Sequence, residues 1–483
     1  MKHEIIVIGG GPAGVTAALR ASELGASVAL VERARLGGTC TNDGCVPTRV
    51  LAKAARLRRD AVQYAQYGMQ VQMPEVDFEK LMSRAQQVVY QIHEKKQLLS
   101  HLSEAGVKVY HGQGAARFKD AHVIQLDDGT ELEADKLILS AGGHARRLLF
   151  PGSEFALTHH EIWELKRLPR SMVILGGAAT GCQLASIFST FGSQVSLLEL
   201  NPLILTAEDH QVSQYMQKAF VERGVQVVSG ISGIERIEKS NDGVVLTFRQ
   251  NDRLEQIQSE AVVLASGWPG NADELNPAAA GVETGRGYVV VDEYLRTTAP
   301  HIFAAGDITG RMMLVQSAGV EGRIAAENAV LGVGQRFGHP VVAHGGFTDP
   351  EYASVGLTED KLKESSVDYL VATVSYADLD RAVIDGHTEG FFKLIVSQDN
   401  HRILGAHVVG EQAVEVIQIV AACMAGEIWV EQVAEMELAY PTFTAILGLA
   451  ARKLVYQLGV MPLAPEWHAL GRSIAAEWER RTD

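Results

Sequence analysis

One pattern occurs twice in this chain and limits what it can fold into. Glu4–Ile8 (EIIVI) has the composition of a buried parallel strand and runs into Gly9-Gly10-Gly11-Pro12-Ala13-Gly14. An Ala- and Leu-rich helical segment, Val15–Leu24, follows, and a second strand, Ser27–Val31, ends at Glu32. Ser171–Gly181 (SMVILGGAATG) begins the pattern again, with a helix to Phe191 and a strand from Gln194 to Glu199. The offset from first glycine to terminal acid is the same in both copies, Gly9 to Glu32 and Gly176 to Glu199. This is a dinucleotide-binding fingerprint. Gly9 makes the tight turn, Gly11 lets the backbone approach a pyrophosphate, Gly14 lets helix and strand pack closely, and Glu32 accepts hydrogen bonds from a ribose. Gly176, Gly181 and Glu199 repeat these roles, while Ala178 replaces the middle glycine and holds the backbone slightly further from the phosphates. Two such units imply two bound dinucleotides. Glu199 suits a free ribose 2′-hydroxyl and no arginine follows in Leu200–Thr206, which favours NAD over NADP.

Between the copies lies Gly37–Arg49, GGTCTNDGCVPTR. Cys40 and Cys45 stand five apart, just ahead of a helical run that Pro47 suits in its first turn. A dithiol here can close into a small loop. A Cys45 thiolate would feel the positive end of the following helix, which lowers its pKa. The competing readings are a structural disulfide or half of a zinc site. Against them, no second Cys/His pair stands at zinc-ligand spacing, and the chain reads as cytoplasmic. It opens without a basic-then-apolar leader and has no apolar run long enough to span a bilayer. A formal net charge of −15 argues against nucleic acid or anionic membrane as partners.

At 483 residues the chain exceeds one core. The helical regions expected after the dithiol are Val50–Ala65 and Phe78–Ala105. Leu137–Gly143 (LILSAGG), which carries Gly142, reads as a strand returning to the first sheet. Near Pro151 the chain changes domain, and Ala261–Gly267 closes the second one at Gly267. Thr297–Asp307 (TTAPHIFAAGD) is a strand ending on an acid in a tight turn, followed by a helix over Val315–Leu331; Asp307 can hold a flavin's ribityl chain or serve only as a strand-end aspartate. From Val341 the pattern becomes an antiparallel sheet with helices. The expected division is residues 1–150 with 268–340, residues 151–267, and residues 341–483. The fold class is α/β: two Rossmann-like dinucleotide-binding domains plus a C-terminal α+β dimerisation domain.

With GGTCTNDGC, TTAPHIFAAGD and FTDPEYASVGLTE, nearly the whole chain resembles the class I pyridine nucleotide-disulfide oxidoreductases, which include dihydrolipoamide dehydrogenase, glutathione reductase and mercuric reductase. The resemblance implies FAD in the first domain, with Gly38 and Thr39 beside it, NAD(P)H in the second, and a homodimer through the third. Electrons would pass from nicotinamide to flavin, to the disulfide and then to a small-molecule or metal-ion acceptor. Cys45 would touch the flavin and Cys40 would exchange with substrate.

The chain departs from that family's pattern at several positions. Arg49 and Gln183 stand where a lysine–glutamate pair is usual, so an arginine beside the flavin would stabilise negative charge on its reduced form. Ala179 replaces an aromatic residue that often covers the nicotinamide. The His-Pro-Thr…Glu motif, whose histidine serves the partner's exchange thiol, reads Tyr440-Pro441-Thr442-Phe443-Thr444-Ala445 here. Tyrosine, with a pKa near ~10, is a poor base at neutral pH; His468 is a substitute candidate. The missing dyad counts against rapid dihydrolipoamide turnover. Mercuric reductase is known for a tyrosine in this region, and soft thiolates suit such ions. It also carries a C-terminal cysteine pair, and Glu477–Asp483 contains none. Cys182 and Cys423 read as packed core residues. The leading expectation is therefore NADH-driven reduction, through the dithiol, of a soft metal ion or an unusual disulfide. The alternatives are dihydrolipoamide reoxidation, quinone reduction directly at the flavin, and a low-turnover redox sensor.

Overall fold

The computed structural model describes residues 2–70, 72–338 and 341–460. His468 and the Glu477–Asp483 segment lie outside the described residues. The chain divides into two compact units, one of residues 1–205 and 220–339, the other of residues 206–219 and 340–483.

The first unit holds two sheets whose central strands run parallel on the same plan; the first is extended past Glu131–Leu139 by two antiparallel strands, Val123–Leu126 and Ala116–Phe118. In the first, Lys2–Ile8 is central, with Val28–Glu32 on one side and Glu131–Leu139 on the other. Ile5, Ile6 and Val7 are buried in succession, as a strand covered by helices on both faces requires. The chain leaves this strand at the point where the strand order reverses, which is where open α/β sheets bind ligands. In the second, Ser171–Leu175 is central between Gln194–Glu199 and Ala261–Leu264. A three-stranded antiparallel sheet, Gly233–Ser240, Gly243–Gln250 and Arg253–Ser259, follows the second fingerprint; the sequence reading did not anticipate it.

The helices that matter for the site are α1 (Pro12–Glu23), α2 (Gly38–Asn42), α3 (Cys45–Asp60), α4 (Phe78–Lys96), α5 (Leu98–Glu104) and α6 (Ala179–Phe191). Two differ from expectation. The helix expected from Val50 begins at Cys45 itself and gives way to a 3-10 turn over Ala61–Tyr67. The helix expected over Phe78–Ala105 is two helices, because Gln97 adopts a left-handed conformation at φ 43°. Its N–H closes α4 on the His93 carbonyl while its own carbonyl accepts from His101 and opens α5.

The second unit is a five-stranded antiparallel sheet, ordered His344–Gly346, Tyr352–Gly356, Ile403–Val409, Phe391–Ser397 and Tyr369–Ser375, with helices Ala413–Ala425 and Ala445–Leu458. Cys423 packs in its core. Thr206–Ala219, placed with the second fingerprint in the sequence reading, belongs to this unit. The cause is a buried charge cluster: the Lys393 ammonium, 3% exposed, donates to both Asp209 oxygens at 2.9 and 3.0 Å and to Glu359 Oε2 at 2.6 Å. A buried cation held by two carboxylates ties the segment down specifically, since removing either side strands a charge.

Candidate active site

Each glycine turn is specified by its own backbone. Gly9 (φ 108°) and Gly176 (φ 117°) take conformations open to glycine. A Cβ on Gly14 would stand 1.8 Å from the Gly9 carbonyl oxygen, and one on Gly181 the same distance from that of Gly176. The terminal acids close the turns. Glu32 Oε2 accepts the Gly10 N–H at 2.7 Å and Oε1 that of Ala34 at 2.7 Å; Glu199 Oε2 accepts the Gly177 N–H at 2.6 Å and Oε1 that of Asn201 at 2.9 Å. A carboxylate has about four acceptor positions, so each keeps capacity for a ribose.

The N-termini of α1 and α6 carry no side-chain cap and no acid in the first turn. Their first N–H groups are therefore left for an anion such as a pyrophosphate. At Gly11 an added Cβ would meet only the Gly38 Cα, at 3.8 Å, so the space in front of α1 stays open. Gly38 (φ 60°) lies against it, and its own Cβ would come within 2.9 Å of the Gly11 Cα. Gly142 (φ 70°) accepts the Asn271 N–H through its carbonyl, and Gly267 (φ 126°) that of Arg146. The open cradle at Gly11, the uncapped helix and the Glu32 carboxylate fit FAD.

Gly38 leads into α2, whose single turn contains Cys40. The Thr39 carbonyl accepts from both Asp43 and Gly44, and Gly44 then N-caps α3, putting Cys45 in its first turn. Cys40 is half-buried and Cys45 exposed. The Cys40 thiol donates a hydrogen bond to Cys45. That bond, aided by a backbone N–H and opposed by burial, brings Cys45 down to about 7 and pushes Cys40 up. Asp307 is near enough for its charge to oppose the Cys45 thiolate. It sits in the turn after Ile302–Ala304, with its carboxyl pushed up mainly by burial and its Oδ2 accepting from Trp268 Nε1 at 2.9 Å.

Helix α3 packs on α6, bringing together the helices that carry Arg49 and Gln183. The Gln183 amide donates to the Ala179 carbonyl at 3.0 Å. Cys182 is fully buried, its thiol raised by burial and donating to the Gly177 carbonyl at 3.2 Å. Tyr440 lies in the other unit, 76% exposed. Its hydroxyl donates to Asp380 Oδ2 at 2.6 Å, a bond that raises the phenol pKa.

The sequence reading missed how the redox loop is gripped. From one side, His160 Nδ1 pairs with Asp43 Oδ2 at 2.6 Å, His159 Nε2 lies 3.7 Å from the same oxygen, and Trp163 Nε1 donates to the Asp43 carbonyl at 2.7 Å. The His159 ring meets that of Trp268 edge to face at 5.1 Å, linking the grip to Asp307. From the other side, α4 sends His93 Nε2 to Asn42 Oδ1 at 2.8 Å and the Lys96 ammonium to Thr41 Oγ1 at 3.1 Å. The His-His pair and the two tryptophans were visible, but no spacing joins them to a motif.

Comparison with known proteins agrees with this geometry. Residues 3–322 match the family described as pyridine nucleotide-disulphide oxidoreductase, and residues 342–451 its dimerisation domain. A mercuric reductase of Lysinibacillus sphaericus is 31% identical over 93% of this chain and 82% of its own length. A dihydrolipoyl dehydrogenase of Zymomonas mobilis is 31% identical over 86% of this chain and 90% of its own. The Cu(II) complex of the HOCl-induced flavoprotein disulfide reductase RclA from Escherichia coli superposes with a TM-score of 0.83 at 28% identity, covering 94% of this chain and all of that one. Among the described residues no helix is long and apolar enough to cross a membrane. The chain belongs to the class I pyridine nucleotide-disulfide oxidoreductases, FAD-dependent enzymes with a disulfide redox centre.

Proposed function

We propose that this protein is a homodimeric reductase that takes electrons from NADH and delivers them through Cys40 and Cys45 to a thiol-reactive acceptor, a soft metal ion or an uncommon disulfide. The observation that carries this reading is the pairing of Cys40 in α2 with Cys45 at the start of α3, where the Cys40 thiol brings Cys45 down to about 7 within range of Asp307. FAD, when bound, supplies a two-electron relay between nicotinamide and disulfide. Gly9, Gly11, Gly14, Glu32, Gly38, Thr39, Gly142 and Asp307 would hold it; Gly176, Gly181, Glu199 and Gly267 would hold the nicotinamide cofactor. Glu199, with no arginine in Leu200–Thr206, supports NADH. The division into residues 1–150 with 268–340, 151–267 apart from the 206–219 segment, and 341–483 is part of the same proposal.

On a disulfide acceptor, Cys40 attacks one sulfur and releases the other as a thiolate. Cys45 then displaces the second thiolate and restores the Cys40–Cys45 bond, so two electrons leave the enzyme. Tyr440 of the partner subunit is assigned as the group facing Cys40. Its hydroxyl proton is held by Asp380 and its raised pKa keeps it from acting as a base, which favours acceptors that need no strong proton shuttle over dihydrolipoamide. The mercuric reductase relatives support the soft-metal arm.

Anaerobic titration with NADH tests the circuit. Uptake of about four electrons per subunit, two for the flavin and two for the disulfide, is expected. A long-wavelength thiolate–flavin band should accompany it. Because the Cys45 pKa lies below its usual value, that band should be present above a pH of about 7 and lost as pH falls through it. Bleaching after about two electrons with no band would remove the dithiol from the circuit, and quinone-type acceptors at the flavin would replace it. Cys40→Ser should then leave turnover unchanged instead of abolishing it.

A further inference from the structure

The exchange thiol lacks the histidine that its family usually supplies from the partner subunit, yet charged and titratable groups surround it within its own chain. Among the described residues, those facing the loop are Cys45 from α3, His93 and Lys96 from α4, Arg35 just ahead of the loop, and the His159–His160 pair on Asp43. Of these, Lys96 is the cation whose charge acts on Cys40. His93 is held below its usual pKa, first by burial and then by Arg35 and Lys96. His160 faces the Asp43 carboxylate, which balances any charge it carries. Lys96 remains, its Nζ 3.1 Å from the Thr41 hydroxyl and its positive charge acting on Cys40.

A lysine in the last turn of a helix is ordinarily explained by the helix dipole alone. Lys96 does more than complement a dipole. It is the final residue of α4, stopped by the left-handed Gln97, and its ammonium reaches across to the hydroxyl of Thr41, the buried neighbour of Cys40. His93, three residues earlier on the same helix, holds the next loop residue, Asn42. Two consecutive loop residues are therefore fixed by one helix face, and the positive charge is fixed with them. While the hydrogen bond to Cys45 and burial push the Cys40 thiol up, the Lys96 charge acts in the opposite direction.

We propose that Lys96 is the charge partner of the Cys40 thiolate within a single subunit, the positioning residue that lets Cys40 act as a nucleophile without a partner-subunit base. It acts through its field on the sulfur and not by carrying a proton, so an arginine can replace it. The inference rests on the reading of Cys40 as the exchange thiol. Its test needs no acceptor, so either can fail alone.

The test is the rate of iodoacetamide alkylation of Cys40 as a function of pH, in the reduced protein carrying Cys45→Ser so that one loop thiol is followed. Lys96→Met should slow the reaction at pH 7.5 by roughly three- to ten-fold and move its midpoint to higher pH, an effect limited by the exposure of Lys96. Lys96→Arg should restore most of the rate. Thr41→Val, which removes the hydroxyl anchor and keeps the charge, should keep most of it too. Raising ionic strength should move the midpoint upward in the Lys96-containing protein and leave that of the Lys96→Met variant unmoved; this arm needs no stably folded loop variant of Thr41. Identical profiles with and without the Lys96→Met substitution, or no salt response, would overturn the proposal. So would a Thr41→Val profile that reproduces the whole loss, since Lys96 would then be an anchor only.

Discussion

The two glycine turns share their backbone logic and differ in what they deliver. In both, the middle residue N-caps its helix in an extended conformation, Gly11 at φ −76°, ψ −174° and Ala178 at φ −81°, ψ −173°. In both, a residue downstream of the terminal acid docks its N–H on the carbonyl of the second glycine, Gly37 on Gly10 and Leu205 on Gly177, each at 2.8 Å. After that contact the copies part. Gly37 and Gly38 turn straight into the helical turn bearing Cys40, which places a dithiol at the mouth of the first turn. Leu205, left-handed at φ 54°, leads into the segment anchored by Asp209 in the other unit. The same βαβ frame thus leads into a cysteine-pair loop in one copy and a structural clamp in the other, and the divergence begins at a docking contact that both retain.

The largest effects should come from the contacts the copies share. Gly14→Ala and Gly181→Ala each drive a methyl into a backbone carbonyl at 1.8 Å, where nothing flexible can yield. Each should lose about 3 kcal/mol or more, at the upper end of overpacking penalties. The two should fail differently. Gly14→Ala protein should purify with little flavin. Gly181→Ala should keep its flavin, reducible by dithionite, but respond weakly to NADH. Thermal melting and flavin content measure both. Equal tolerance of the alanines would break the equivalence of the two turns.

These shared contacts were legible in the sequence because glycine spacing and a terminal acid report local backbone geometry. The boundaries of α6, of Gln194–Glu199 and of Val315–Leu331 follow from the same periodicity. Less was legible where structure depends on distant partners. Nothing local in Gln97 announces a left-handed residue inside an apolar helical stripe. Lys393, Asp209 and Glu359 are too far apart in sequence for their cluster to be read. Cys40 and Cys45 were identified by spacing, while the groups that tune and hold them, Lys96, His93, His160 and Trp163, arrive from two other helical segments. Tyr440 was found by its departure from a motif, and its bond to Asp380 required coordinates.

A smaller effect should separate the two terminal acids. Glu32→Gln and Glu199→Gln each turn one carboxylate oxygen into an N–H donor facing a backbone N–H and weaken the closure of the turn. A charge-assisted hydrogen bond is worth roughly 1.5–3 kcal/mol, so affinity for the dinucleotide of the altered turn should fall about tenfold or more. Glu199→Gln should raise KM for NADH and leave flavin content unchanged. Glu32→Gln should raise the flavin dissociation constant and leave the NADH KM of the loaded enzyme unchanged. Crossed effects would mean that the dinucleotides are assigned to the wrong turns.

The smallest effect tests the one position where the turns differ. Ala178 and Gly11 have the same extended backbone at negative φ, so neither conformation demands glycine. Within the protein, a Cβ at Gly11 would touch only Gly38, at an ordinary 3.8 Å. The reason for glycine at Gly11 is then external to the chain, the approach of a phosphate, and Ala178 marks a turn that accepts a slightly greater distance. Ala178→Gly should leave stability within about 1 kcal/mol, because glycine is the better N-cap but adds freedom to the unfolded chain. It should lower KM for NADH by a few-fold at most. Gly11→Ala should be equally mild for stability but lower flavin affinity by a larger factor, since α1 and Gly38 converge there. If Ala178→Gly left NADH binding unchanged while Gly11→Ala released flavin, the phosphate approach would be close in the first turn only. The substitution at Ala178 would then be a consequence of looser binding and not its cause.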